Sequence, residues 1–430
     1  MRATYLYTFL FLLLFTGSCA IQQTKNEGSK VEIKKNDSGN FRLFLNDKEF
    51  YVLGAGCDND TSLFSVLSQY GGNSFRTWHT GENPLEMLDK AQENGLMVLM
   101  GLYVAPARRG FDYSDSAKVQ KQFEKIKNKV EQLKDHPALL GWAIGNELNL
   151  RTDDLSAFKA VNDISKMIHE IDGNHPTTTT LAGISKRDID YIKKHCNDID
   201  FISVQLYGSI IHLQKYMEKS GWDKPYMVTE WGATGHWEVN RTDWDVAIEP
   251  SSQEKAKSFI ERYEVAIASD SVNCLGSYVF LWGQKQERTP TWYGMFLENG
   301  NKTETVDAMH YIWKGTWPEN RCPTIDSVKL NGFTASDNIR LKIGDVFSAH
   351  VYSRDYEGDS LVYRWEIIPE TTDHGVGGDY EKRPKSWKEF ESSAKIYHDV
   401  PEIPGAFRLF IYVTDPFNQS ATANIPFYVE

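Results

Sequence analysis

"LLGWAIGNE", residues 139–147, runs through seven apolar or small residues and stops on Asn146 and Glu147. A half-buried strand alternates polar and apolar positions. This stretch does not, so both of its faces must be covered, as in a parallel sheet packed under helices. Stretches of the same kind recur: "YVLGAG" (51–56), "NSFRTW" (73–78), "LMVLMGLY" (96–103), "PTTTTLAG" (176–183), "FISVQLYG" (201–208), "PYMVTEWG" (225–232) and "CLGSYVFLWGQ" (274–284). Between them lie segments such as "PLEMLDKAQENG" and "DDLSAFKAVNDISKMIHEID". Their apolar residues return every three or four positions, the spacing of a helix with one buried face. Eight strand–helix units in roughly 270 residues predict a (β/α)8 TIM barrel. No Gly-rich phosphate turn follows the first strand, which disfavours an open doubly wound sheet.

The barrel does not fill the 430-residue chain. Past "WPENRCPTID" (317–326) helical spacing stops, and short alternating strands such as "LVYRWEIIP" and "FRLFIYVTD" take over. Residues 323–430 therefore read as an immunoglobulin-like β-sandwich, in a structural role, behind a short stiff linker. Residues 31–317 form the barrel together with a two-stranded N-terminal flap over its bottom, within "VEIKKNDSGNFRLFLNDKEF" (31–50). Ahead of these, Arg2, the apolar run "YLYTFLFLLLF" (5–15) and "TGSC" (16–19) have the order of a secretory leader too short to span a bilayer. The small residues before Cys19 resemble a bacterial lipoprotein cleavage site, making 1–19 a signal peptide, Cys19 the lipidated residue and 20–30 a flexible tether. That predicts an outer-membrane lipoprotein at the cell surface or in the periplasm, touching membrane only through its lipid.

A net charge of −12 excludes the broad basic face that nucleic acid requires. Twelve Trp and 21 Tyr suit sugar faces, although most serve packing. Cys57, Cys196, Cys274 and Cys322 are too widely spaced for a zinc site or a disulfide framework and read as structural thiols. "DYEGD" (355–359) lacks the twelve-residue ligand pattern of an EF-hand and reads as a turn. No metal or cofactor is expected, and the protein is expected to be a monomer.

The strand ends carry the chemistry. In such a barrel the C-terminal strand ends form the rim of the active site. The fourth strand ends on Glu147; the seventh, "YMVTE", ends on Glu230, 83 residues on. Strands four and seven face each other across the mouth, so the two carboxylates converge. Paired carboxylates flanking a bond are what glycoside hydrolysis requires, and Asn146 beside the first can bind the hydroxyl next to the anomeric carbon.

"GNE" and "TEWG" at these positions resemble the retaining clan A of (β/α)8 glycoside hydrolases. The likeness implies Glu147 as acid/base and Glu230 as nucleophile. It further implies Arg76 and Tyr207 as residues that hold the nucleophile ionised, and Trp282, in "FLWG", as the aromatic floor of the sugar site. Gln205 departs from the clan, many of whose members carry Asn two residues before the Tyr. The compact barrel, C-terminal module and lipoprotein leader are most similar to glycoside hydrolase family 158, which implies a retaining endo-β-1,3-glucanase acting on a laminarin-type polysaccharide or its oligosaccharides. Such an enzyme needs Glu147 protonated near neutrality, hence a raised pKa. Trp78 and His79 after strand two, His236 and Trp237 after strand seven and Trp292 after strand eight are candidate glycan contacts, each with packing as its alternative. A non-catalytic glycan-binding lipoprotein, or a retaining glycanase or transglycosylase on another β-glycan such as mannan, are the competing readings.

Overall fold

A computed structural model of the chain describes residues 28–57, 61–376 and 378–430. Cys19, the signal segment and most of the tether lie outside the described residues. Three antiparallel strands come first: β1 (Val31–Lys35), β2 (Phe41–Leu45) and β3 (Lys48–Phe50). The expected two-stranded flap thus gains a third strand, because Asn46 and Asp47 take positive φ angles and fold the chain back as a tight hairpin. Val31 and Leu43 pack with Met97, Leu140, Phe201, Met227 and Leu275, which lie near the starts of barrel strands, so the flap plugs the barrel's N-terminal end.

The barrel strands are β4 (Val52–Gly56), β5 (Ser74–Arg76), β6 (Met97–Leu102), β7 (Leu139–Asn146), β8 (Thr177–Ala182), β9 (Phe201–Gln205), β10 (Tyr226–Gly232) and β11 (Cys274–Phe280). They pair in parallel and in sequence order, and β11 closes on β4. Apolar stripes of the surrounding helices seal the outside. In α4 (Ala157–Ile171), Phe158, Val161, Ile164 and Ile168 recur at three- and four-residue steps and are all buried. Every residue of β7 before Asn146 is buried, as its unbroken apolar run requires. The Thr run of β8 turns hydroxyls onto its neighbours: Thr179 Oγ1 donates to the Ile144 carbonyl at 2.8 Å, and Thr180 Oγ1 to Gly145 at 3.0 Å.

The C-terminal unit is a sandwich of two sheets. One contains β13 (Thr324–Leu330), β15 (Val346–Arg354) and β18 (Lys395–Asp399). The other contains β16 (Val362–Pro369), β17 (Lys388–Ser392), β19 (Gly405–Thr414) and β20 (Gln419–Val429), with the short β14 (Arg340–Leu341) on β20. This second sheet runs on into the barrel unit. β12 (Lys302–Thr303), which precedes the last barrel helix α8 (Glu304–Lys314), pairs in parallel with Gln419 and Ser420 of β20. Buried polar contacts reinforce the junction: Arg408 donates to the Ala247 carbonyl at 2.8 Å, and Asn424 to Glu249 at 2.8 Å. Cys196, Cys274 and Cys322 are buried thiols, and burial pushes Cys274 up to about 11. No helix among the described residues is long and apolar enough to cross a membrane.

Candidate active site

The C-terminal ends of β5, β7, β9 and β10 bring seven polar or aromatic side chains together. Glu230, on β10 and 5% exposed, is the hub. Its Oε1 accepts from Trp78 Nε1 at 2.6 Å, Gln205 Nε2 at 2.9 Å and Arg76 Nη1 at 3.3 Å; its Oε2 accepts from the Tyr207 hydroxyl at 3.0 Å. Four donors on one buried group suit a carboxylate, whose two oxygens offer about four lone-pair sites and no proton. Arg76 reaches it because β5 ends there: buried at 1% exposure, it also bonds the Thr229 carbonyl at 3.2 Å. Burial, with the charge of Glu230 second, drives the Tyr207 hydroxyl well above its ordinary value, which keeps it a donor.

Asn146 is oriented with equal care. Its Oδ1 accepts from Gln205 Nε2 at 2.8 Å, Arg76 Nη2 at 2.9 Å and Thr180 Oγ1 at 3.1 Å. Three donors fix which end of the amide is oxygen, and they leave its NH2 for the cavity that Asn146 lines. One residue on, the backbone departs from the strand. Gly145 has φ of 76° and Glu147 φ of 49°, and a β-carbon on Gly145 would lie 2.6 Å from Leu148 Cδ1. This turn carries the Glu147 side chain to the cavity; the Glu147 amide bonds the Thr180 carbonyl at 3.0 Å, and Arg108 holds the Glu147 carbonyl at 2.6 Å. No hydrogen bond from a described residue reaches the Glu147 carboxyl group. Burial first, and the charge of Glu230 second, push it up to about 8.

These residues line a cavity of about 930 Å³, near the upper end of the usual range for small-molecule sites. Trp78, His79, His236 and Trp237 line it as well. Burial, followed by Arg288, presses His236 down to about 4, so it is neutral at physiological pH. His79 also borders a second cavity, of about 1,020 Å³, walled by Lys118, Lys121, Lys125 and Lys129 on α3 (Ser116–Leu133).

Two expected contacts lie elsewhere. Trp282 is 2% exposed, points its Nε1 at the Leu63 carbonyl (3.2 Å) and packs on Phe296 and Trp313. β11 ends two residues before it, so Phe280 is the β11 ring that lines the cavity and Trp282 belongs to the outer core. Trp292 is fully buried and donates to the Thr234 carbonyl at 2.9 Å, which braces the loop of His236 from behind; its neighbour Tyr293 lines the cavity.

Other lining residues escaped the sequence. Gln205, noted only as a departure, bridges Glu230 and Asn146. Lys285, Glu287 and Arg288 follow β11, and Tyr380, Glu381 and Arg383 come from the sandwich. "Lys-Gln-Glu-Arg" (285–288) after a strand end was a usable signal; nothing in the sequence points from residue 380 to the barrel. Asp355, Asp359 and Asp415 come together in the sandwich, with ligand atoms within 4.8 Å of one another. Asp355 Oδ1 accepts from the Glu357 and Asp359 amides, as a turn-forming carboxylate does.

Comparison with known proteins bears on the fold. The solved structures that resemble the chain include a family 2 β-galacturonidase from Eisenbergiella tayi (TM-score 0.52, 16% identity, 67% of this chain and 54% of that one). They also include a Bacteroides uniformis β-glucuronidase 2 (TM-score 0.51, 14% identity, 93% and 48%). At such identities the likeness is one of fold. Among curated proteins, pig (Sus scrofa) β-glucuronidase is 23% identical over 221 residues, 45% of this chain and 32% of the relative. An Arthroderma benhamiae exo-β-D-glucosaminidase is 23% identical over 156 residues, 30% and 18%. The chain thus spans a third or less of the curated relatives it matches. Residues 52–300 match the model for glycosyl hydrolases family 2, TIM barrel domain, where the sequence alone suggested family 158. With more than half its length in that match and a closed parallel barrel beneath it, the chain belongs to the family 2 TIM-barrel glycosyl hydrolases of clan A.

Proposed function

We propose that the protein is a retaining β-glycoside hydrolase acting on a neutral β-glucan, β-1,3-linked, with Glu230 as nucleophile and Glu147 as acid/base. The asymmetry of the two carboxyls carries the reading. Glu230 takes four donors, whereas Glu147 takes none from a described side chain and is pushed up to about 8. The first is equipped to attack as an anion, the second to protonate a leaving oxygen. Glu230 forms a bond to the anomeric carbon as the glycosidic C–O bond breaks and Glu147 gives its proton to the departing oxygen. Glu147, now ionised, then takes a proton from the water that displaces Glu230. The Asn146 NH2 is free to bind the neighbouring sugar hydroxyl as positive charge develops.

Charge pairing in the cavity favours a neutral sugar. Lys285 lies 2.8 Å from Glu287, Arg288 pairs with Glu381, and Arg383 lies 3.2 Å from Glu298. A uronic acid is the second reading, suggested by the uronidases among the relatives and by Arg151, an exposed cation that lines the cavity a few residues past Glu147. Internal cleavage is what the family 158 resemblance implies. Gly375, Val376, Gly378, Tyr380, Glu381 and Arg383 of the sandwich wall one side of the cavity, which favours short chains and chain ends.

Activity across β-1,3-, β-1,4- and mixed-linkage glucans, mannan, xylan and aryl β-glucosides and β-glucuronides tests the substrate. Glu147→Gln and Glu230→Gln should each lose at least a hundredfold in kcat, and NMR of the first product should show retained configuration. Inversion, or near wild-type activity in either variant, contradicts the assignment. A lipid on Cys19 is likewise proposed: labelled palmitate should enter the wild-type protein and not Cys19→Ala.

A further inference from the structure

The connection between β16 and β17 leaves the sandwich and lines the barrel's cavity with Gly375, Val376, Gly378, Tyr380, Glu381 and Arg383. Barrel loops pin it on both sides of Tyr380. Asp379 pairs with Arg109, beyond β6, and the Gly378 carbonyl accepts from Lys285 Nζ at 3.0 Å. Glu381, 1% exposed, pairs with the Arg288 guanidinium and accepts from the Arg288 amide at 2.5 Å. The root is fixed too: Arg383 meets the fully buried Glu366 of β16 at 2.9 Å.

Tyr380 contrasts with this anchoring. It is 84% exposed and makes no hydrogen bond or ring contact with a described residue. A flexible loop tip would present such a ring by chance; a segment clamped at 379 and 381 presents it by construction. Trp237, 58% exposed, lines the same cavity from the loop after β10. Exposed rings on fixed backbone at the mouth of a sugar-sized cavity offer apolar faces at little conformational cost, and the C–H face of a pyranose is the complementary surface.

We propose that Tyr380 is a specificity-determining residue that stacks on a sugar unit beyond the one held between Glu147 and Glu230, so that sandwich and barrel together build the substrate site. The inference rests on the glycosidase reading and deepens it.

The test compares a β-1,3-linked glucose hexamer with an aryl β-glucoside, which has only one sugar. Tyr380→Ala should raise KM for the hexamer about tenfold, the equivalent of one good aromatic stacking contact. It should leave kcat and the aryl-glucoside KM within twofold, and Tyr380→Trp should restore the hexamer KM. An unchanged hexamer KM, an equal rise on both substrates, or failure of Trp to restore it overturns the proposal. Should the wild-type protein cleave neither substrate, the catalytic reading fails separately. Calorimetric binding of the hexamer to Glu147→Gln, with and without Tyr380→Ala, still decides the role of Tyr380: about tenfold weaker binding supports it, equal or absent binding refutes it.

Discussion

Replacing Gln205 with Leu probes the least expected part of the site. Gln205 is 3% exposed, and its Nε2 bridges Glu230 Oε1 (2.9 Å) and Asn146 Oδ1 (2.8 Å), while its Oε1 has no partner. Leu has the branched shape of Asn, one methylene shorter than Gln, and no polar atoms. The variant loses one hydrogen bond to a carboxylate, worth about 1.5–3 kcal/mol, and one to a neutral amide, worth about 1 kcal/mol. If the bridge acts by holding both groups on the reacting sugar, that loss appears in the transition state, as a fall in kcat/KM of about seventyfold to a thousandfold. Removing the unpartnered Oε1 offsets part of the cost to folding, so Tm should move by only a few degrees. Initial rates on an aryl β-glucoside measure the first quantity and a thermal melt the second. A folded Gln205→Leu enzyme within threefold of wild type would refute the claim that this amide positions the nucleophile. Gln205→Asn, the residue common in the clan, is one methylene short of spanning the gap and should fall between the two.

Because burial and Glu230 raise Glu147 to about 8, kcat/KM should stay high on the acid side and fall as pH rises through about 8; a fall complete by pH 6 would remove Glu147 as the acid. Glu304 is raised to about 8 by burial beneath the sandwich junction, so the folded state keeps a proton that the unfolded chain releases above about 4.5. Its contribution to stability therefore declines between those values, and the Tm of Glu304→Gln relative to wild type should improve from pH 5 to pH 8. Trp282→Ala should cost about 3–5 kcal/mol of stability and leave KM within twofold, whereas Phe280→Ala should raise KM.

How much of this was legible differs from residue to residue. Strand β7 was readable because burial on both faces leaves an unbroken apolar run, and a carboxylate at its end has nowhere to go but the rim. Glu230 followed by the same logic, whereas Arg76 and Tyr207 came only from the resemblance to clan A. Trp282 was misplaced because rings stand at 280 and 282, on a strand whose end decides which one faces inward; a two-residue difference in that end exchanges cavity for core. The flap's third strand depended on two consecutive positive φ angles, which Asn and Asp permit but do not demand. The wall formed by Tyr380, Glu381 and Arg383 could not be read at all. Its pairs, Arg109 with Asp379 and Arg288 with Glu381, join residues in different structural units, and no local periodicity records such a pairing.

The two-residue strand β12 has a consequence for the order of events as the chain is made. Its partner β20 is synthesised more than a hundred residues later, and β20 lies between β12 and β19 in the sheet whose β16–β17 connection carries Tyr380. A nascent barrel can close its eight strands and assemble Glu147, Asn146 and Glu230 while one wall of its cavity does not yet exist. Until β20 docks, β19 has an unpaired edge open to strands of other chains. A chain stopped short of residue 419 should therefore carry a complete catalytic pair and fail first by self-association.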